Sequence, residues 1–169
     1  HEESPGRLNV YDGHGFRTIV DYAHNPDGLR ALGAFVTKLR PNYRRSIGLI
    51  GIAGDRRDED IREMGALASR FFDEIVFKED HDSRGREPGA VAALLREGAL
   101  AAGSPSRIQT VLDEEEAAEF CLRMARSGDL VVITADDVEA VWHYVLEFDA
   151  TPPPKGNSLE SKVRQLRFG

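Results

Sequence analysis

Hydrophobic residues in this chain fall into two alternating patterns. Short runs without helical spacing occur at Arg17-Thr18-Ile19-Val20, Ser46-Ile47-Gly48-Leu49-Ile50-Gly51-Ile52, Glu74-Ile75-Val76-Phe77, Ile108-Gln109-Thr110-Val111-Leu112 and Leu130-Val131-Val132-Ile133-Thr134. Such runs predict strands, and the second, apolar throughout, predicts one buried on both faces. Between them apolar residues return every three or four positions, the period of a helix with one face inward. The first helix starts at Pro26, capped by Asn25, and carries Leu29, Leu32, Phe35, Val36 and Leu39. A second runs through Ile61, Met64, Leu67, Ala68 and Phe71, and a third from Pro88 to Ala101. A fourth, capped by Asp113, carries Ala117, Phe120, Cys121 and Met124. The last follows Asp136-Asp137 and turns Val138, Val141, Trp142, Val145 and Leu146 inward, with Trp142 as a core anchor. At the beginning, Leu8-Asn9-Val10-Tyr11 and Arg17-Thr18-Ile19-Val20 flank Asp12-Gly13-His14-Gly15, which reads as a hairpin. The pattern therefore predicts an α/β fold: a Rossmann-like, mostly parallel sheet with helices on both faces, plus an N-terminal β-hairpin.

The chain's 169 residues suffice for one domain, placed at 1–150. Residues 151–169, with Pro152-Pro153-Pro154, read as a flexible proline-rich tail. The net charge of −7 argues against a nucleic-acid partner. No apolar run is long enough to span a bilayer and no secretory leader is evident, so neither a membrane role nor export is expected; the default is cytoplasmic. The single cysteine, Cys121, allows no internal disulfide and reads as a buried, inert thiol. The chain opens on His1 without an initiator methionine, which reads as a segment of a longer polypeptide.

Three polar segments follow successive strands: Asp21 to Pro26, Gly54 to Asp60 and Glu79 to Arg86; Thr134 to Asp137 forms a fourth. In a parallel sheet they emerge at the carboxyl edge, where α/β folds bind ligands. In the first, an Asx-turn and a helix cap explain Asp21 and Asn25, but capping does not require His24; acid and imidazole together suit ribose, phosphate or an ordered water. In the second, Asp58 to Asp60 complement a helix dipole, whereas Asp55, Arg56 and Arg57 do not follow from it, and the arginines point to an anion. In the third, Arg84 and Arg86 suit a carboxylate or phosphate, Asp80 and Asp82 a cation, and the mixture a zwitterionic amino acid; a self-paired surface loop fits equally. No P-loop, dinucleotide fingerprint, nucleophile elbow or metal-ligand spacing is found.

Pro5-Gly6-Arg7, Asp21-Tyr22-Ala23-His24-Asn25-Pro26 and Gly54-Asp55-Arg56 resemble, in order, the landmarks of the C-terminal lobe of the Mur ligase superfamily. Gly54 to Ile61 and Arg84-Gly85-Arg86 are most similar to its cyanophycin synthetase branch. The resemblance implies part of an ATP-dependent acid–amino-acid ligase, inactive by itself. ATP would phosphorylate a carboxylate acceptor, and an amino acid, arginine in that branch, would attack the acyl phosphate. Arg7, Asp21 and His24 would face the nucleotide, with Asn25 supporting the turn. Asp55, Arg56, Arg57, Asp80, Asp82, Arg84 and Arg86 would face the amino acid. The phosphate loop and the Mg²⁺ ligands would lie on a central ATPase domain of the same parent chain. A muropeptide or folylpolyglutamate-type lobe, and a non-catalytic binding domain on the same fold, remain the alternatives.

Overall fold

A computed structural model of the chain describes residues 8–103 and 106–149. Arg7 and the expected tail at 151–169 lie outside the described residues. Six strands form one sheet: β1 (Asn9–Tyr11), β2 (Arg17–Asp21), β3 (Ser46–Ile50), β4 (Glu74–Phe77), β5 (Arg107–Thr110) and β6 (Leu130–Thr134), in spatial order β1-β2-β6-β3-β4-β5. Only the β1–β2 pairing is antiparallel. The helices are α1 (Pro26–Leu39), α2 (Asp58–Phe71), α3 (Ala90–Ala101), α4 (Glu114–Met124) and α5 (Val138–Glu147).

Successive side chains on a strand point to opposite faces, so the sheet separates two cores. Ile19, Ile50, Ile75, Phe77 and Val132 meet Leu29, Val36, Ile61, Met64 and Leu95 from α1, α2 and α3. Val20, Ile47, Leu49, Val76 and Val131 meet Ala117, Cys121, Val141 and Val145 from α4 and α5. The change of face has a topological cause. The chain moves outward from β3 to the edge strand β5, then returns to the centre at β6; right-handed crossovers place outgoing and returning helices on opposite sides. Helices α2 and α3 pack backbone to backbone, because a Cβ at Gly65 would overlap the Leu95 carbonyl and one at Gly98 the Arg62 carbonyl.

The expected α/β architecture is found, with local differences. β5 ends at Thr110, and Leu112 is 38% exposed, because this strand has only one neighbour in the sheet. Helix α3 starts at Ala90, two residues after Pro88, since Gly89 takes φ 89° and cannot continue a right-handed helix backwards. Leu146 is 40% exposed and not inward; Trp142 is half-buried against the second core. Cys121 is buried, and burial pushes its thiol up, which keeps it protonated and unreactive. His14 has a partner no local pattern reveals: its Nε2 lies 2.7 Å from the Val145 carbonyl, and its ring packs among Tyr11, Phe16 and Phe148. This contact fastens the hairpin to α5. No helix among the described residues is long and apolar enough to cross a membrane.

Candidate active site

The loops after β2, β3, β4 and β6 meet at the carboxyl edge. Tyr22, His24, Gly51, Lys78, Asp80 and Asp136 surround one narrow crevice there. The adjacent strands β6 and β3 send their chains to helices on opposite faces, which opens the gap. Beside it, against α1, lies a pocket of about 460 Å³. Asp21, His24 and Asn25 supply its polar wall, and Leu8, Tyr22 and Phe35 an exposed apolar one.

The first loop is held from within. Asp21 ends β2; its carboxylate accepts the Tyr22 N–H at 2.7 Å, and its carbonyl accepts the Ala135 N–H at 2.9 Å. That second bond ties the loop after β2 to the loop after β6. Asn25 caps α1 by accepting the Gly28 N–H at 2.7 Å. His24 is exposed; its ring lies 4.7 Å from that of Tyr22, and Nδ1 is 3.1 Å from the Tyr22 carbonyl. Nε2 therefore faces outward from the loop, available to a ligand.

The second and third loops are stitched together by Arg86. Its Nε donates to the Gly54 carbonyl at 2.7 Å and a terminal nitrogen to the Arg56 carbonyl at 2.9 Å, and it pairs with Asp58 at 2.7 Å. Gly54 allows this approach, since a Cβ there would overlap the Ser83 carbonyl oxygen. Arg57 is engaged locally by Asp60 through two bonds of 3.1 and 3.2 Å. Asp60 is accordingly held below the usual carboxylate range, first by that hydrogen bonding. Arg84, at φ 52°, pairs with Asp82 at 3.3 Å, and Asp82 also accepts the Arg84 N–H. Asp55 and Arg56 are exposed, and Arg56 makes no side-chain hydrogen bond or ion pair among the described residues. Of the arginines expected to face a ligand, Arg57 and Arg86 thus have their donors engaged within the protein.

The residue that sequence reasoning passed over is Lys78. It follows β4, is 2% exposed, and places Nζ 2.6 Å from Glu114 and 3.2 Å from Asp80. Glu114, from the start of α4, also accepts the Asp136 and Asp137 N–H groups at 2.6 and 3.0 Å. Burial pushes the Glu114 carboxyl up, but the Lys78 charge, its hydrogen bond and the two backbone donors outweigh this and lower it. Asp136 is raised, by burial and then by repulsion from Asp80. A lysine directly after a strand reads as solvated; its burial depends on Glu114, 36 residues away. Glu79, in the same loop, caps α3 by accepting the Gly89 and Ala92 N–H groups at 2.8 and 2.9 Å.

The fold is shared with known proteins. The chain belongs to the family described as Mur ligase, glutamate ligase domain, which matches residues 6–136. Cyanophycin synthetase of Geminocystis herdmanii is 43% identical over 136 residues, covering 80% of this chain and 15% of that protein. The UDP-N-acetylmuramoyl-L-alanyl-D-glutamate–2,6-diaminopimelate ligase of Syntrophomonas wolfei is 36% identical over 152 residues, covering 88% of this chain and 30% of that protein. A solved structure of a ligase of the latter name superposes with a TM-score of 0.65 at 27% identity, over 77% of this chain and 26% of that one. Mycobacterium tuberculosis folylpolyglutamate synthase complexed with ADP shares the fold, with a TM-score of 0.64 at 21% identity over 87% of this chain and 33% of that one. The chain thus spans less than a third of the curated relatives it matches. The family resemblance carried by Asp21 to Pro26 is borne out.

Proposed function

We propose that this chain is the C-terminal lobe of an ATP-dependent, amide-bond-forming ligase of the cyanophycin synthetase type. In the reaction a carboxylate oxygen of the acceptor attacks the γ-phosphorus of ATP, and ADP leaves with the electrons of the broken bond. The amine of the incoming amino acid then attacks the acyl carbon. Phosphate departs with the C–O bond pair, and the ammonium proton of the new amide passes to a base or to water. The lobe's part is to bind and orient, and to exclude water that would hydrolyse the acyl phosphate.

One observation carries the reading: Asp21 and His24 line a pocket of about 460 Å³ whose other wall, Leu8, Tyr22 and Phe35, is apolar and exposed. A flat base against the apolar wall, with ribose or phosphate oxygens at Asp21 and His24, suits that division. Asn25 keeps the turn in shape, and Arg7, just before Leu8, is assigned to the same nucleotide. Among the described residues no cluster of His, Cys, Asp or Glu is arranged to hold a metal, and in this proposal Mg²⁺ reaches the site with the nucleotide on the central ATPase domain.

The amino acid is assigned to the crevice and the third loop. Arg57 and Arg86 are paired within the loops, and two acidic side chains, Asp136 and Asp80 beside Lys78, line the crevice. That balance favours a basic amino acid such as arginine over glutamate. Arg84, which pairs with Asp82, is assigned to the amino acid's own carboxylate. The 36% identity to the diaminopimelate ligase supports a second reading, a muropeptide-type lobe taking a different amino acid through the same loops.

The test uses the parent enzyme, following phosphate release while candidate amino acids are paired with candidate acceptors. Asp21→Ala and His24→Ala are expected to lower turnover at least about tenfold with unchanged melting, and Arg84→Ala to raise KM for the amino acid more than for ATP. Wild-type kinetics in the first two variants would remove the nucleotide assignment.

A further inference from the structure

The opposite edge of the sheet, where the strands begin, carries a second concavity of about 440 Å³. Arginines from separate segments line it: Arg44 and Arg45 ahead of β3, Arg107 at the start of β5, Arg126 in the loop beyond α4, and Arg123 near the end of α4, whose guanidinium is engaged by Glu119 at 3.1 Å and lies over the Phe148 ring.

The floor of this groove is rigidly built. Asp129 is fully buried and receives Arg44 at 3.1 Å, Arg45 Nε at 3.0 Å and the Arg126 N–H at 2.8 Å. Arg45 also reaches the Met124 carbonyl at 2.8 Å and Glu74 at 3.4 Å. The charge of Arg45 is therefore matched inside the protein. The rim differs. The Arg107 side chain is 81% exposed, and its approach to Glu74, 3.9 Å, is at the limit of an ion pair. The Arg126 guanidinium makes no hydrogen bond or ion pair among the described residues. Arg44 is half-exposed above Asp129. These cations sit together, with Glu74 and Asp129 among them, on a chain of net charge −7.

We propose that this groove docks an acidic stretch of polypeptide. Arg107 and Arg126 pair with successive carboxylates, in the bidentate geometry that guanidinium and carboxylate share. Gln109, two residues from Arg107 on the same face of the edge strand, offers an amide to the peptide backbone. Carboxylates are favoured over phosphodiesters because a guanidinium takes a carboxylate edge-on through two parallel bonds, and the groove, which already contains Glu74 and Asp129, has only a modest excess of positive charge. The chain's own residues 151–169 carry Lys155, Lys162, Arg164 and Arg167 against Glu160 and are the wrong sign to fill it. The groove lies at the edge away from Asp21 and His24, so this inference does not rest on the ligase reading.

Fluorescence anisotropy with the 169-residue chain at low salt tests it, using labelled oligo-aspartate and an oligothymidylate of equal length. Oligo-aspartate is expected to bind, more weakly as salt rises, and at least about tenfold more weakly to Arg107→Glu/Arg126→Glu, whose fold is checked by thermal melting. Arg107→Gln/Arg126→Gln provides a milder version should the charge reversal unfold the chain. His24→Ala, at the other edge, is expected to bind like the parent. No binding of oligo-aspartate, equal binding by both arginine variants, loss of binding in His24→Ala alone, or tighter binding of oligothymidylate overturns the proposal.

Discussion

Lys78 Nζ and Glu114 Oε1 stand 2.6 Å apart at the carboxyl end of the sheet, and the two residues are 2% and 6% exposed. Through this one pair the loop after β4, the start of α4 and the start of α5 share a single anchor. Lys78 brings Asp80 with it, and Glu114 holds the Asp136 and Asp137 amides. The wall of the crevice is therefore positioned by one buried ion pair, of which Lys78 itself lines the crevice.

Removing one partner leaves the other charged and buried. Lys78→Met is expected to destabilise the fold by about 3–5 kcal/mol, measured by urea denaturation. Lys78→Met/Glu114→Gln should lose less than the two single changes summed, since the double variant buries neither the Lys78 nor the Glu114 charge without its partner. Additive losses would mean the two groups act independently.

The same pair sets a pH dependence. Glu114 titrates below its ordinary value of 4.5 in the folded protein, because Lys78 and the two amides outweigh burial. A depressed carboxyl binds fewer protons folded than unfolded, so its contribution is fully present above that ordinary value and is lost as pH falls through the folded one. Comparing urea midpoints of the parent and Glu114→Gln, the gap should be constant from neutral pH down to about pH 5 and narrow below it. A gap that widens on acidification contradicts the assignment.

Arg86 joins two loops by bonds to the Gly54 and Arg56 carbonyls and a pair with Asp58. Arg86→Ala is expected to cost about 1–3 kcal/mol and to speed amide hydrogen exchange in residues 51–57 and 82–89 together. Gly54→Ala should produce the same exchange signature by a different route, because the added methyl overlaps Ser83. Exchange confined to one loop would show that the two are not coupled.

The pocket proposed for the nucleotide is open, and no phosphate-loop motif occurs in this sequence to grip the phosphates. Calorimetry of the 169-residue chain with Mg·ATP is expected to show a Kd weaker than about 1 mM. Micromolar binding would show that the phosphate-holding groups lie in this chain and not on the proposed ATPase domain.

The strands and helices were legible because burial on two faces writes itself into sequence: after Ser46, β3 carries no polar side chain, and α1 repeats at helical spacing. The gathering of polar loops followed from parallel topology. What remained hidden depends on distant partners. Lys78 looks solvated until Glu114 arrives, and His14 looks like a turn residue until α5 supplies the Val145 carbonyl. Arg57 and Arg86 had the composition of ligand groups, but their donors go to Asp60 and to backbone carbonyls. Leu112 and Leu146 have core chemistry on positions that the sheet edge and the outer side of α5 leave uncovered. Local composition names the group, and only the fold decides what it faces.

The His14 clasp on Val145 has a mechanical consequence. It rivets the first hairpin to the final helix, so the start and the end of the described fold, far apart in sequence, are joined in space. In the proposed ligase, a lobe fastened at both ends in this way would swing as a solid body.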